Sequence, residues 1–311
     1  VNVFITGIAG FIGSHIAERV LFSGENKVMG IDNLATGRAD NVPRDPYCQF
    51  NKADIAILPD LRDMMKGFEP DVVVHCAASY KDPSNWVEDT RTNCVGTANL
   101  ATVCNELDVK RIIYFQTSLC YGLKPLEQPI TLKHPIRPEG SSYAITKTFA
   151  EQILSLCNKP VITFRLANCY GPRNLSGPVP TFYKKITAGD KCKIAQTRRD
   201  FVFVDDLVDV VMKAMFQPAV VIQPYHVSSG SDVSIGELFE KEAEIIRKDA
   251  MSETLPKNPD DVETILLDPT WTERDFDWKA STPLNIGLKK AIEWYKTHDF
   301  GETFTHLKRA K

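Results

Sequence analysis

Residues 1–32, VNVFITGIAGFIGSHIAERVLFSGENKVMGID, constrain what this chain can fold into more than any other stretch. An apolar run at 1–5 meets Gly7, Gly10 and Gly13, an amphipathic segment follows at 14–23, and a second apolar run at 27–31 stops at Asp32. Strand, turn, helix and strand are predicted in that order. One glycine permits a tight turn, one lets the backbone approach a pyrophosphate, and one lets the helix pack closely on the strand. Phosphate oxygens would then meet the free N–H groups that open the helix, at Phe11, Ile12 and Gly13. An acid about 20 residues beyond the glycines accepts hydrogen bonds from the adenosine ribose and repels a 2′-phosphate, so Asp32 points to NAD. A glycine triplet alone is weak evidence; here the strand, the helix and the acid all stand where a dinucleotide site needs them. The alternative is a glycine-rich turn that binds nothing.

Beyond Asp32 the same alternation continues. Buried-looking runs at 49–53, 71–78, 111–118 and 161–168 are separated by helical patterns at 61–67, 86–107 and 143–157. Near-continuous apolar strands between helices predict an α/β doubly wound parallel sheet, a Rossmann fold. After Asn168 the texture changes, because Gly171, Pro172, Gly177, Pro178 and Pro180 crowd into what reads as one loop. We therefore expect residues 1–168 to form an NAD-binding Rossmann domain and 169–311 to form mainly a smaller, interleaved substrate domain. Residues 201–229 would return to the first region through a helix at 205–216 and a run at 225–228. Helical periodicity also marks 286–296.

At 311 residues and 43% hydrophobic content, the chain can bury a substantial core. Its 37 Lys and Arg against 40 Asp and Glu give a net charge of −3 with no basic stripe, which argues against a nucleic-acid partner. No signal-like segment precedes the first strand, and no apolar run approaches the ~18 residues of a membrane span, so a soluble, cytoplasmic protein is expected. Eight cysteines without a C-x-x-C pair, and six histidines without ligand spacing, indicate neither a metal site nor a disulfide framework. The cysteines are expected to be small, reduced core residues.

The second informative motif is Tyr143-Ala-Ile-Thr-Lys147, whose spacing puts a phenol and an ammonium on one helix face. A lysine beside a tyrosine favours the phenolate and is expected to lower its pKa toward neutrality. Any helix can carry this pair, and position is what raises its interest. The strand 111–118 ends in Thr117 and Ser118, at the carboxyl edge where doubly wound sheets bind ligands. A hydroxyl there can hydrogen-bond the substrate group that loses a proton.

Taken together these residues resemble the extended short-chain dehydrogenases, the NAD-dependent epimerase/dehydratase family. TGIAGFIGSH, IDNLATG, Asp54-Ile55, HCAA at 75–78, Asn93, QTSLCYG at 116–122, YAITK, RLANCYGPR at 165–173, RRDFVFVDD at 198–206 and the DP at 268 occur in the family's order across nearly the whole chain. Within it, the nearest resemblance is to the UDP-galactose 4-epimerases and to epimerase-like enzymes of bacterial O-antigen clusters. The resemblance implies that Asp32 and Asn33 hold the adenosine ribose, Asp54 and Ile55 the adenine, and Ala77 the region beside the nicotinamide phosphate. Thr36, Gly37, Cys76, Ala78 and Asn93 complete the implied cofactor site. Lys147 would bind the nicotinamide ribose as well as tuning Tyr143.

On the substrate side the resemblance implies Lys81, Thr117, Ser118, Asn168, Val179, the diphosphate-binding Arg199 and the uridine-ribose carboxylate Asp261. For Arg199 the alternative is a surface ion pair with Asp200 or Asp205. Where the epimerases carry a second diphosphate arginine this chain has Asn258, with Lys257 as a substitute point charge. Dehydratases of the family carry an acid just after the Thr117 position, because removing water needs a general acid. Ser118 and Leu119 stand there and cannot do that work. The implied reaction is NAD-dependent 4-epimerisation of a nucleotide sugar, a UDP-hexose or UDP-uronic acid, in polysaccharide or O-antigen biosynthesis. A dehydratase, a 4-keto-sugar reductase and a non-catalytic NAD-sensing regulator are the alternatives.

The helix with the Tyr–Lys pair carries a further signal. On a helical wheel Tyr143, Lys147, Ala150, Leu154 and Cys157 share one face, while Ile145, Phe149, Ile153 and Leu156 form another nearly opposite. This second face needs cover of its own. A homodimer with Phe149 at its centre is expected, the alternative being cover by another helix of the same chain.

Overall fold

The computed structural model describes residues 1–217, 224–256 and 262–304. β1 (Asn2–Thr6), α1 (Phe11–Leu21), β2 (Lys27–Asp32), β3 (Cys48–Lys52), α2 (Leu58–Phe68) and β4 (Val72–His75) come first. α3 (Trp86–Asp89) passes through a π-helical stretch, Thr90–Gly96, into α4 (Thr97–Glu106). There follow β5 (Arg111–Thr117), a 3-10 turn at Ser118–Tyr121, α5 (Ser142–Ser155), β6 (Val161–Leu166), β7 (Asn168–Tyr170), α6 (Pro178–Ala188), β8 (Cys192–Ile194), β9 (Arg198–Phe203) and α7 (Val204–Phe216). The chain then makes β10 (Pro224–Val227), β11 (Asp232–Ser234), α8 (Ile235–Ile246), β12 (Ser252–Thr254), β13 (Thr264–Ile265), α9 (Thr270–Phe276) and α10 (Leu284–Thr297).

Seven strands pair in parallel in the order β3-β2-β1-β4-β5-β6-β10. Successive side chains of the central strands go to opposite faces. Val3, Ile5, Val28, Val72, Val74, Ile113 and Phe115 join one apolar cluster, with Ile16, Ala17 and Val20 of α1. Phe4, Met29, Ile31, Val73, Ile112 and Tyr114 join the other, with Leu61 and Met65 of α2, Leu100 and Val103 of α4, and Ala150 and Leu154 of α5. Burial on both faces is why these strands read as unbroken apolar runs, and each fully buried large aliphatic side chain contributes about 1.5–3 kcal/mol. The strand order reverses between β1 and β4, which opens a crevice at their carboxyl ends. A second sheet is built on β9, which takes β7 and β13 in parallel and β11 antiparallel; β8 and β12 pair separately.

Several expectations need correction. The proline-rich stretch after Gly177 is not loop but the start of α6: Pro178 stands in its first turn, where a missing N–H leaves no bond unmade. The strand expected over 71–78 ends at His75, and the helix expected over 143–157 ends at Ser155, leaving Cys157 outside it. α8 is not among the expected helices, although Ile235, Leu238 and Phe239 stand at helical spacing and Ser234 and Glu237 close a reciprocal capping box at its start, with bonds of 2.8 and 3.0 Å. Of the cysteines only Cys104, Cys120 and Cys192 are buried; the other five are half-buried. Among the described residues no helix is long and apolar enough to cross a membrane.

Candidate active site

Gly7 turns the chain out of β1 with φ +71°, and a Cβ there would lie 2.7 Å from the backbone nitrogen of Ala77. A Cβ on Gly13 would lie 2.3 Å from the Gly7 carbonyl oxygen, so α1 starts directly on the turn. Gly10 caps α1 without a side chain and no acid occupies the first turn, which leaves the N–H groups of Phe11, Ile12 and Gly13 open to an anion. Asp32 accepts from Ala9 N at 3.1 Å and Leu34 N at 2.8 Å, and its burial pushes the carboxyl pKa up. Gly37 lies against this carboxylate, while Asn33 accepts from Ala35 N at 3.0 Å. Thr36 lies beside the Tyr80 hydroxyl, whose pKa burial raises. Asp54 accepts from Arg91 at 2.6 Å and from Ala56 N at 2.8 Å; the carbonyl of the buried Ile55 accepts from Asn99 at 3.0 Å.

Two side chains, of which only Asn93 belongs to the sequence-based site, tie the loop after β4 to α5. Asp89 accepts from Ser79 Oγ at 2.7 Å and from Ser142 Oγ at 2.5 Å. Asn93, on the π-helical stretch, accepts from Ser79 N at 2.8 Å and donates to Ser79 O at 3.1 Å and Thr146 Oγ1 at 3.0 Å. Asn93 was expected as a cofactor contact; its amide is committed to bracing. Below it His75 bridges Thr6 Oγ1 at 2.7 Å and Thr97 Oγ1 at 2.9 Å, and burial holds the imidazole neutral at a pKa of about 3.

Lys147 is buried, with Nζ 4.2 Å from the Tyr114 ring centroid, and Tyr114 donates to the Lys147 carbonyl at 2.9 Å. Among the described residues the ammonium meets no hydrogen-bond acceptor. Burial lowers its pKa to about 7, opposed by Cys76 and Glu151. The Tyr143 phenol departs from expectation. Burial raises its pKa, and the neighbouring Tyr80 and Asp89 raise it further. The physical reason is that the Lys147 ammonium lies over the Tyr114 ring and towards Cys76, so its charge does not offset the desolvation of the phenol.

At the end of β5 the Thr117 hydroxyl accepts from Leu119 N at 3.2 Å, and Ser118 and Leu119 are both buried. Asn168 donates to Asp200 O at 3.1 Å, and Val179 is packed in the core. Arg199 reaches the carbonyl of Val262 at 2.7 Å. Asp200 is taken up by Ser228 Oγ and by Ser229 N and Oγ, with its pKa pushed by burial to about 6, and Asp205 pairs with Lys290 at 3.2 Å. Lys81 is exposed, its Nζ 5.0 Å from the Phe304 ring centroid. Lys257, Asn258 and Asp261 lie outside the described residues. Among the described residues no cluster of three or more His, Cys, Asp or Glu could hold a metal ion.

Asp89, Gln116, Glu151 and Arg165 are absent from the sequence-based site, though the structure brings them to it. Polar side chains inside apolar strands, as at Gln116 and Arg165, were the available signal, as was an acid one helical turn beyond Lys147. The residues present suit a dinucleotide: an uncapped helix N-terminus for the pyrophosphate, an acid for a ribose, and a buried ammonium lacking a protein acceptor.

A model of the NAD dependent epimerase/dehydratase family matches residues 3–230. The chain is 31% identical to the UDP-glucose 4-epimerase of Mycolicibacterium smegmatis, over 95% of this chain and 98% of that protein. The crystal structure of the Bordetella bronchiseptica enzyme WbmH in complex with NAD+ is similar with a TM-score of 0.89 at 44% identity, over 95% of this chain and 98% of that one. WbmG of the same organism, in complex with NAD and UDP, gives a TM-score of 0.89 at 35% identity, over 98% and 97%.

Proposed function

Since the chain belongs to the NAD dependent epimerase/dehydratase family, we propose that its reaction is the reversible 4-epimerisation of a UDP-sugar, a hexose or a uronic acid. It is an NAD-dependent enzyme of the extended short-chain dehydrogenases. Residues 1–168, with the return near 201–229, hold the cofactor, and 169–311 mainly hold the nucleotide sugar. Gly7, Gly10, Phe11, Ile12 and Gly13 receive the pyrophosphate, Asp32 and Asn33 a ribose, and Lys147 the nicotinamide ribose. NAD held by these residues would supply hydride acceptance and donation at C4 of the sugar.

Tyr143 accepts the C4 hydroxyl proton and later gives it back, while Thr117 holds the same oxygen by a hydrogen bond. Because its phenol is pushed up in the cofactor-free chain, Tyr143 needs a further positive charge in the cleft to ionise near neutral pH. Arg199 anchors the diphosphate while the keto sugar turns over. The observation that carries this reading is at the end of β5. A buried serine and a buried leucine follow Thr117, so no carboxyl is presented there to protonate a leaving hydroxyl. Oxidation and reduction at one carbon remain. The similarity to WbmG bound to NAD and UDP supports a uridine nucleotide, and the resemblance to O-antigen-cluster enzymes supports a place in surface-polysaccharide synthesis.

We further propose a homodimer through α5. Ile145 is 51%, Phe149 41% and Leu156 78% exposed, and Trp86 and Val87 of the adjoining α3 are 61% and 78% exposed. Cover by another helix of the chain is thus not seen at these residues, whereas Ile153 packs into the chain's own core. To test the reaction, purified protein is incubated with UDP-glucose, UDP-N-acetylglucosamine and UDP-glucuronate, and the sugars are identified by chromatography. Interconversion of 4-epimers without net reduction of added NAD is expected. A 4-keto-6-deoxy product would establish a dehydratase, consumption of reduced cofactor a reductase, and binding without any conversion a sensor.

A further inference from the structure

Gln116 is a buried amide in a strand that is otherwise apolar from Ile112 to Phe115. Here β5 outruns one of its neighbours. The β4–β5 register ends at His75 opposite Tyr114, whereas the β5–β6 register continues to Thr117 opposite Leu166. Ile112 N donates to Pro160 O on the β6 side. Because amide directions alternate along a strand, the Thr117 N–H points the other way, to where β4 has already stopped. Gln116 Oε1 accepts it at 2.8 Å.

The same amide is itself held. Its Nε2 donates to Glu151 Oε2 at 3.0 Å and lies 3.4 Å from Thr148 Oγ1. Glu151 accepts from Arg165 Nη2 at 2.6 Å and Nε at 3.2 Å. Arg165 Nη1 donates to the Tyr121 oxygen at 2.8 Å, the Tyr121 hydroxyl donates to His226 Nε2 at 2.5 Å, and His226 Nδ1 donates to Asp268 O at 3.0 Å. Burial keeps this imidazole neutral, at a pKa of about 4, which suits an acceptor at Nε2 and a donor at Nδ1. Each group in the chain is therefore satisfied in one direction only.

We propose that Gln116 is a positioning residue for the reaction: its side chain replaces the missing strand, fixes the Thr117 peptide, and thereby aims the Thr117 hydroxyl at the substrate oxygen. This rests on the epimerase reading for Thr117. Since Thr117 Oγ1 already accepts from Leu119 N, its hydrogen remains to be donated to the sugar, and rotation of the 116–117 peptide would carry it off target. Misplacement of a catalytic group by about 1 Å can cost ~10²-fold in rate. Glutamine alone offers an acceptor to Thr117 and a donor to Glu151 at once. Methionine offers neither, and glutamate offers the acceptor but repels Glu151.

The test uses NAD-loaded enzyme carrying Gln116→Met, or Gln116→Glu with Glu151→Gln, each with and without Thr117→Val, with amide hydrogen exchange and steady-state kinetics on the turned-over UDP-sugar. For Gln116→Met we expect exchange at Thr117 about tenfold faster, kcat about tenfold lower and KM unchanged, with little further loss when Thr117→Val is already present. Unchanged exchange at Thr117, or the same kcat loss in the Thr117→Val background, would overturn the positioning role. Should Gln116→Met fail to fold, the exchange of the two groups, Gln116→Glu with Glu151→Gln, decides: it keeps an acceptor for Thr117 and a donor between the two side chains, so the Thr117 amide is expected to stay protected, and loss of that protection overturns the proposal. A wild-type enzyme that turns over no nucleotide sugar removes the epimerase reading, and the exchange measurement then decides the positioning of Thr117 by itself.

Discussion

The two faces of α5 belong to one run of sequence and obey opposite constraints. The inner face puts an ionisable pair, Tyr143 and Lys147, where burial disfavours charge on both, and braces it with Asp89, Asn93 and Tyr114. The outer face leaves Ile145 and Phe149 about half exposed and Leu156, just past the helix end, mostly exposed. One face gives up stability to hold an ionisable pair, and the other leaves apolar area that the proposed dimer would cover. A helix can therefore look uniformly amphipathic in sequence while its faces serve chemistry and association separately.

Substitution of Tyr143 by Phe should produce the largest effect, a loss of turnover of about 10³-fold or more with folding and NAD binding intact, read by sugar interconversion and by titration of NAD. A near-normal rate would end the distinction drawn for the inner face. Phe149→Glu should then raise the dimer dissociation constant about 100-fold, placing a desolvated charge at the centre of the interface. Sedimentation equilibrium at micromolar concentration measures it, and a wild-type monomer under the same conditions would remove the role given to the outer face. Asp89→Asn should lower kcat about tenfold, since one charge-assisted bond at the start of α5 is weakened; an unchanged kcat would show that Asn93 and Tyr114 suffice to hold the helix.

The smallest effect sharpens the comparison most. Lys147 titrates near 7 in the folded, cofactor-free chain and near its ordinary 10.5 when unfolded. Between these values the unfolded chain binds one more proton, so the Lys147 contribution to stability rises with pH there, and below about 7 the full cost of burying the ammonium is present. Lys147→Met in the NAD-free protein should thus raise Tm by a few degrees at pH 6 and by less at pH 9. Equal shifts at both pH values would mean that Lys147 keeps its proton in the folded chain throughout, with no lowering of its pKa by burial.

Much of this was legible in order along the chain. The glycine turn, Asp32, the strand ending in Thr117 and the Tyr143–Lys147 spacing are local patterns, each within about one or two turns or strands, and local geometry follows from them. The prolines around α6 read as breakers, yet Pro178 and Pro180 both stand in its first turn, where no N–H has an intrahelical partner to lose. The rise in the Tyr143 pKa depends on how deeply the phenol is buried and on where the Lys147 ammonium points, and neither is written in the four-residue spacing.

By itself the sequence determined the doubly wound order, the dinucleotide turn and the set of polar groups available to the site, because period, turn chemistry and residue type are properties of neighbours in the chain. Tertiary structure alone decided which of those groups meet. β4 stops at His75 while β5 runs on to Thr117, so an amide is left without a strand, and Gln116, Glu151 and Arg165, drawn from two strands and a helix, converge to satisfy it. A buried N–H must find an acceptor wherever the fold strands it, and the place where that happens is a property of the packed sheet rather than of any one segment.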